Sequence, residues 1–322
     1  MKKILKNLFI LFRVDSILRY KNRRSRILFW HGVDNNPHSL IEAESIHIDK
    51  FKLQIEYLNK YYEIISIEDF YERCKRKSLN GKEIVLTFDD GYRNNLTVLA
   101  PYLNSLKLPF TVFISTNHIE SGDIYPTSLL RLMIFGSNLS RINIPFLKKE
   151  FLLEKEIDKI NMYKYLSDYI KTHPLNDVKI IYNELLENVG RDNYKKLVQT
   201  YNSLLPMNWN EVKLLSEMGA TIGSHCLDHI CCHDNQNSDE LVRQITQSKR
   251  VIEEKLGVSC DFFAYPNGDY NDIAINSVLN AGYKMGFTTK NIAIQQNVEQ
   301  FPIIPRVSVP FNVDTFKIIV NK

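Results

Sequence analysis

The sequence predicts an α/β fold built on a parallel sheet, closed into a barrel or doubly wound, and carrying a helical insertion. Three observations carry that prediction. From residue 27 onward, short runs rich in β-branched and aromatic residues alternate with stretches of helical period. Between about residues 122 and 206 the rhythm stops and the text becomes Leu-, Lys- and Glu-rich, with no convincing strand. Finally, the residues suited to chemistry follow directly on three of the short runs, where parallel α/β folds gather their ligands.

In chain order, the expected strands are 27–31, 63–66, 84–88, 110–114, 220–224, 262–265, 283–288 and 304–309, each bounded by Gly, Pro or Asn. Helical text fills the gaps. One stretch covers 96–106 before Pro109. Another covers 238–256, with Leu241, Ile245, Ile252 and Leu256 on one face and Gly257 as its stop. The 122–206 segment is too long for a bare loop and is expected to be a helical insertion, either bordering the site or serving as a passive docking surface. The chain thus divides into an arm (1–26), a barrel (27–121 and 207–322) and the insertion (122–206).

At 322 residues, 44% hydrophobic and 24% charged, the chain is long and apolar enough for a sizeable core. Those figures exclude disordered, collagen-like and small disulfide-scaffold classes. The net charge of +4 is unevenly spread: residues 1–26 hold nine basic groups and one acid, +8, leaving −4 on the rest. Ile4, Leu5, Leu8, Leu11, Phe12 and Leu18 share one side of a helical wheel, with Lys2, Lys3, Lys6 and Arg13 opposite. This arm suits peripheral contact with an anionic membrane face or, equally, packing on the body. The run from Leu8 to Phe12 is shorter than a signal-peptide core, which spans roughly 7–15 residues, and no run approaches the ~18 apolar residues of a membrane span. Five cysteines, two of them adjacent, cannot form a complete disulfide set, so a reducing, cytoplasmic location is expected. No nucleic-acid motif or aromatic platform accompanies the basic arm.

The run 84–88 leads into Asp89-Asp90-Gly91, two carboxylates that can divide metal binding and proton transfer, or a simple Asp–Gly turn. The run 220–224 leads into His225 and His229, whose i, i+4 spacing puts both rings on one side of a helical turn, close enough to share a metal. Cys231, Cys232 and His233 offer a rival structural zinc site, weakened by the lack of a C-x-x-C pair. One carboxylate and two imidazoles leave an open coordination position, the mark of a hydrolytic metal site. After 262–264, Tyr265-Pro266-Asn267-Gly268 is a turn able to aim a backbone N–H at an oxyanion.

Thr87-Phe88-Asp89-Asp90-Gly91, His225-x-x-x-His229 and Tyr265-Pro266-Asn267-Gly268 resemble the first three motifs of the polysaccharide deacetylases, carbohydrate esterase family 4. Leu28-Phe29-Trp30-His31-Gly32-Val33 and Asn208-Trp209 extend the likeness, toward the branch of poly-N-acetylglucosamine deacetylases, over roughly 27–120 and 206–310. The resemblance implies a distorted (β/α) barrel, a divalent metal (commonly zinc), and hydrolysis of an N-acetyl group from an amino sugar in a glycan or a lipid-linked precursor. Deformylation of a lipid- or nucleotide-linked sugar, or carbohydrate binding without turnover, remain alternatives.

By position, Asp89 resembles the family's base, Asp90, His225 and His229 its metal ligands, and the Asn267 N–H its oxyanion donor. Tyr265, Pro266 and Arg306 are expected at the substrate. Two departures stand out. Ala264 occupies the place where many members carry an arginine that tunes the base, and no histidine follows His233 to supply the late general acid. His31, ending the first run, is expected to supply that acid or to orient the substrate.

Overall fold

The computed structural model describes residues 24–294 and 301–322, so nearly all of the basic arm lies outside the described residues. The chain enters as β1 (Arg26–Trp30) and continues through a short parallel pair, β2 (Gly32–Asp34) and β3 (Ser45–His47). There follow α1 (Ile48–Tyr61), β4 (Glu63–Ile64), α2 (Ile67–Lys75) and β5 (Glu83–Phe88). A π-helical turn, Asn95–Leu99, runs into α3 (Ala100–Ser105), then β6 (Thr111–Ile114) and α4 (Thr116–Ser121).

The expected insertion follows. It contains α5 (Pro126–Gly136), a hairpin of β7 (Arg141–Ile144) and β8 (Lys149–Leu152), α6 (Glu156–Ile170), α7 (Leu175–Val189) and α8 (Arg191–Thr200). The hairpin corrects the strandless reading of this segment. Its signal is only four residues long: Ile142 and Ile144 are buried between exposed Arg141 and Asn143, a period-two pattern framed by helical text. The chain returns through α9 (Trp209–Glu217), β9 (Thr221–Ser224), α10 (Ser238–Leu256), β10 (Phe262–Ala264), α11 (Asp272–Asn280) and β11 (Met285–Thr288). It ends in β12 (Ile304–Pro305), β13 (Val307–Ser308) and α12 (Val313–Asn321).

The strands form one sheet in the order β12-β11-β10-β9-β6-β5-β1-β13, with β4 also paired to β5. Every pairing is parallel. Segment 304–308 supplies both ends: β12 pairs with β11 and β13 pairs with β1, with Arg306 between them. The sheet therefore nearly closes on itself, and the expected barrel is the observed one.

Strand alternation divides the apolar residues into two sets. Leu28, Trp30, Leu86, Phe88, Val112 and Phe263 point outward and pack with helix residues such as Phe51, Leu103 and Ile245. Ile27, Val85, Phe113, Phe262, Ala264 and Phe287 form the inner set. The barrel is narrow enough that Gly223 has to lack a side chain, because a Cβ there would strike the Phe113 ring. The insertion holds its own apolar cluster, including Leu130, Ile142, Ile144, Leu166 and Ile181.

Candidate metal centre and catalytic cavity

The inner register of the strands decides which side chains meet. His31 stands two residues beyond inward Phe29, Asp89 two beyond Thr87, and His225 two beyond Gly223. Each therefore leaves the carboxyl end of its strand still facing the barrel axis. The backbone bends sharply just past those ends. Asp90, Cys226, His229 and Asn267 all have positive φ, between 53° and 73°. Left-handed backbone is unfavourable for residues with a Cβ, and such strain gathers where a site over-determines its geometry.

His225 and His229 accordingly do not sit on a helical turn, as their spacing suggested. They lie on a tight non-helical turn with ring centroids 4.8 Å apart. A buried glutamine on α10 splints that turn. Gln244 Oε1 accepts from the N–H groups of Leu227 (3.1 Å) and Asp228 (2.8 Å), and its amide donates to Asp228 Oδ2 at 2.6 Å.

One donor atom from each of Asp90, His225 and His229 lies within 4.8 Å of the others. Among the described residues, no other group of three His, Cys, Asp or Glu donors does so, which leaves the rival Cys/His site without a cluster. Asp90 Oδ1 is buried and accepts no aligned hydrogen bond, although His229 Nε2 is 3.2 Å and His225 Nε2 3.7 Å away. An orphaned carboxylate oxygen facing two imidazole nitrogens is costly without a cation and natural around one.

The imidazoles are also prepared for ligation. His225 Nδ1 donates to the Ala264 carbonyl at 2.7 Å, which leaves Nε2 with its lone pair toward Asp90. Burial keeps this ring neutral, its pKa lowered to about 4. Burial works against ionisation of Asp90 as well, yet the surrounding histidines, His229 foremost, hold its carboxyl well below the usual range. The residues present fit a divalent ion.

Asp89 lies beside this cluster, 3% exposed. Arg306, fully buried, grips it with two parallel bonds: Nη1 to Oδ1 at 2.7 Å and Nη2 to Oδ2 at 2.8 Å. The guanidinium also packs 4.7 Å over the Phe29 ring, inside the barrel. Burial pushes the Asp89 pKa up, but the Arg306 charge and bonds outweigh it and hold the carboxyl below its ordinary value.

Arg306 was expected at the substrate, but its forked donors are taken up by Asp89 and it lines no part of the cavity. From the closing segment it sets against Asp89 a guanidinium of the kind the resemblance places at position 264, where the small Ala264 occupies the inner register. Tyr265 and Pro266 are likewise buried and away from the cavity. Tyr265 follows Phe263 on the outward face, with ring centroids 5.0 Å apart, so strand alternation turns it into the core. Asn267, at the tip of that turn, does line the cavity.

The cavity has a volume of about 330 Å³ and brings together His31, Asp89, Asp90, His225, His229 and Asn267. His31 is tied from two sides. The buried Asn95 on the π-helical turn donates to its carbonyl at 2.9 Å, and Glu44 Oε2 lies 3.8 Å from its Nδ1. Burial lowers the His31 pKa, but Asp90, Glu44 and Asp89 together raise it above the ordinary value against the opposing charge of Arg306. Glu44 is in turn 3.7 Å from Arg131 of α5, whose guanidinium lies 4.1 Å from the Tyr163 ring centroid.

Glu44 carries no motif and was not legible in the sequence, and although an insertion bordering the site was one expectation, none of its wall residues could be named. Tyr163, Ile170, Lys171, Leu175 and Val178 of the insertion close the cavity opposite the metal cluster. Gln236 docks that wall to the barrel, its Oε1 accepting from Leu175 N–H at 3.3 Å.

A family model described as polysaccharide deacetylase matches residues 76–141 and 181–286, just over half of the chain. Over 286 residues the chain is 23% identical to the poly-beta-1,6-N-acetyl-D-glucosamine N-deacetylase of Escherichia coli K12, covering 88% of this chain but 36% of that protein. The protein of the same name from Staphylococcus aureus strain MSSA476 is 21% identical over 304 residues, 91% of this chain and 81% of its own length. The chain thus spans little more than a third of the Escherichia coli relative. Among solved structures, the fold matches the Streptococcus pyogenes deacetylase PplD (TM-score 0.59, 16% identity, 93% of this chain and 98% of that one). It matches IcaB from Ammonifex degensii equally well (TM-score 0.59, 15% identity, 93% and 97%).

Proposed function

This chain belongs to the polysaccharide deacetylase family, and from that premise we propose that it hydrolyses the N-acetyl group of an amino sugar in a glycan or a lipid-linked glycan precursor. The observation that carries the reading is the buried, unpartnered Asp90 Oδ1 facing two imidazole nitrogens, with an ionised Asp89 clamped beside it.

Asp90, His225 and His229 would hold a divalent ion, most suitably zinc given one carboxylate and two imidazoles. Bound there, it supplies Lewis acidity toward the acyl oxygen and lowers the pKa of water. Asp89 takes the proton of the water that attacks the amide carbon. Arg306 keeps that carboxylate ionised and aimed, and Ala264 O keeps His225 in the ligating tautomer. The Asn267 N–H faces the developing oxyanion. His31, whose pKa the acids around it raise, gives its proton to the departing nitrogen as the C–N bond breaks, so acetate and a free amine leave. The substrate's sugar lies between the barrel rim and the insertion wall.

Two features support work at the cytoplasmic face of a membrane, with residues 1–26 against anionic lipid. The first is the +8 arm. The second is the set of five cysteines, all buried free thiols. Acetate release from N-acetylglucosamine oligomers by the zinc-loaded chain tests the chemistry. Flotation with anionic liposomes, comparing the full chain with residues 27–322, tests the location. Formate release from an N-formyl sugar, with the acetyl substrate inert, would instead identify a deformylase.

A further inference from the structure

A second cavity, about 300 Å³, opens beside the catalytic one. Pro126, Leu175, Val178 and Asp228 line both, so the two chambers adjoin. The second chamber is built from α5, α7 and the loop between α4 and α5. Its interior is aliphatic: Ile124, Met133 and Val178 are buried, and Leu129, Leu175 and Leu186 are partly so. Asp123, Lys179 and Asn183 stand exposed at its mouth, and the half-buried His118, Tyr182, Tyr194 and Asp228 complete its walls. The lining is predominantly apolar, which suits hydrocarbon better than the hydroxyl edges of a second sugar ring.

Residues 142–180 fall outside the family match. Leu175, Val178 and Lys179 of this chamber come from that stretch, as do Tyr163, Ile170 and Lys171 of the catalytic wall. This wall therefore lies in a part of the chain that the family model does not describe.

We propose that the second chamber binds a linear hydrocarbon chain carried by the same molecule whose amino sugar occupies the catalytic cavity, so that the substrate is a glycolipid. The inference rests on the deacetylase reading and narrows its substrate class. The hydrocarbon enters past Leu175 and Val178 and lies against Ile124, Leu129 and Met133, losing its water as the acetamido group reaches Asp89. Burying apolar carbons in a preformed chamber lowers KM and leaves the chemical step alone.

The test compares the zinc-loaded full chain on methyl and octyl N-acetyl-β-D-glucosaminides, the latter below its micellar concentration, and on a short N-acetylglucosamine oligomer. The expected result is a KM at least about tenfold lower for the octyl than the methyl glycoside, with kcat within a factor of about two. Asn183→Trp, at the exposed mouth, and Leu186→Glu, on the wall, should each bring that KM ratio close to one. Displacement of dansyl-undecanoic acid from the wild type but not from Leu186→Glu reads the chamber without turnover. Equal KM values for the two glycosides, or an octyl advantage untouched by both variants, would overturn the proposal. So would an advantage of the oligomer over the methyl glycoside that the same variants remove, since that marks a sugar subsite. Absence of acetate from every compound would overturn the deacetylase reading instead, and the dansyl probe would still decide the fate of the chamber.

Discussion

The barrel rim and the insertion face each other across one cavity, but they are built on different terms. On the rim, groups of opposite charge lie in bonding contact, backbone is strained at Asp90, Cys226, His229 and Asn267, and each polar atom has an assigned partner or awaits one. Across from it, the insertion offers Tyr163, Ile170, Leu175 and Val178 on helices with their own apolar cluster. The rim is organised to carry out a reaction, and the insertion to shape what reaches it. If that contrast is right, changes on the rim strike turnover and metal, whereas changes in the insertion strike substrate choice or stability.

The largest effect should come from His225→Ala, which removes one of the three ligands and leaves Asp90 facing His229 alone. Metal analysis should find the ion lost, and acetate release should fall to background; a full metal complement would break the ligand assignment. Next, Asp89→Asn should lower kcat on the order of 10³-fold with metal content unchanged, because it removes only the proton acceptor.

Arg306→Ala sharpens the distinction between tuning and binding. It strands Asp89 as a buried, unpaired carboxylate, so thermal or denaturant unfolding should show a loss of about 3–5 kcal/mol. In the surviving enzyme kcat should fall, with KM for a simple glycoside barely moved. A raised KM with normal kcat would restore Arg306 to the substrate.

Glu44→Gln should act more gently and through pH. His31 works in its protonated form, so activity declines as pH rises through its pKa. Glu44 is one of the charges that raises that pKa, so its neutralisation should move the alkaline limb of the kcat profile to lower pH. An alkaline limb identical to wild type would remove His31, or its tie to Glu44, from the account. On activity, Ile142→Ala in the insertion hairpin should do least: about 2 kcal/mol or more of stability lost, with kcat/KM on a methyl glycoside close to wild type below the unfolding transition.

The same divide governs what could be read from the sequence. Asp89, Asp90, His225, His229 and Asn267 were legible because each follows a strand within a few residues, and strand ends are where parallel barrels place chemistry. The core helix at 238–256 was legible from its period, and Gly257, at φ 69°, ends it as expected. Arg306 and Asp89 are 217 residues apart, and nothing local in either segment announces their pairing. Only closure of the sheet through β12 and β13 brings them together. Tyr265 and Pro266 belong to a motif whose tip faces the cavity, but motif spacing cannot tell which alternate residue turns inward. The helical-turn expectation for the histidine pair failed because left-handed Cys226 and His229 achieve the same proximity on a turn. The insertion carried a periodic signal for its helices, none for the wall they would build, and only four residues of alternation for β7.

The central claim is that Asp90, His225 and His229 hold one ion that works only in concert with Asp89. Its most direct test is zinc titration of the metal-free chain while acetate release from an N-acetylglucosamine oligomer is followed. The account predicts that acetate release rises in proportion to bound zinc and saturates at one ion per chain, while Asp89→Asn binds the same single ion and releases acetate on the order of 10³-fold more slowly. Full acetate release by the metal-free chain, or an Asp89→Asn chain as active as wild type, would contradict it.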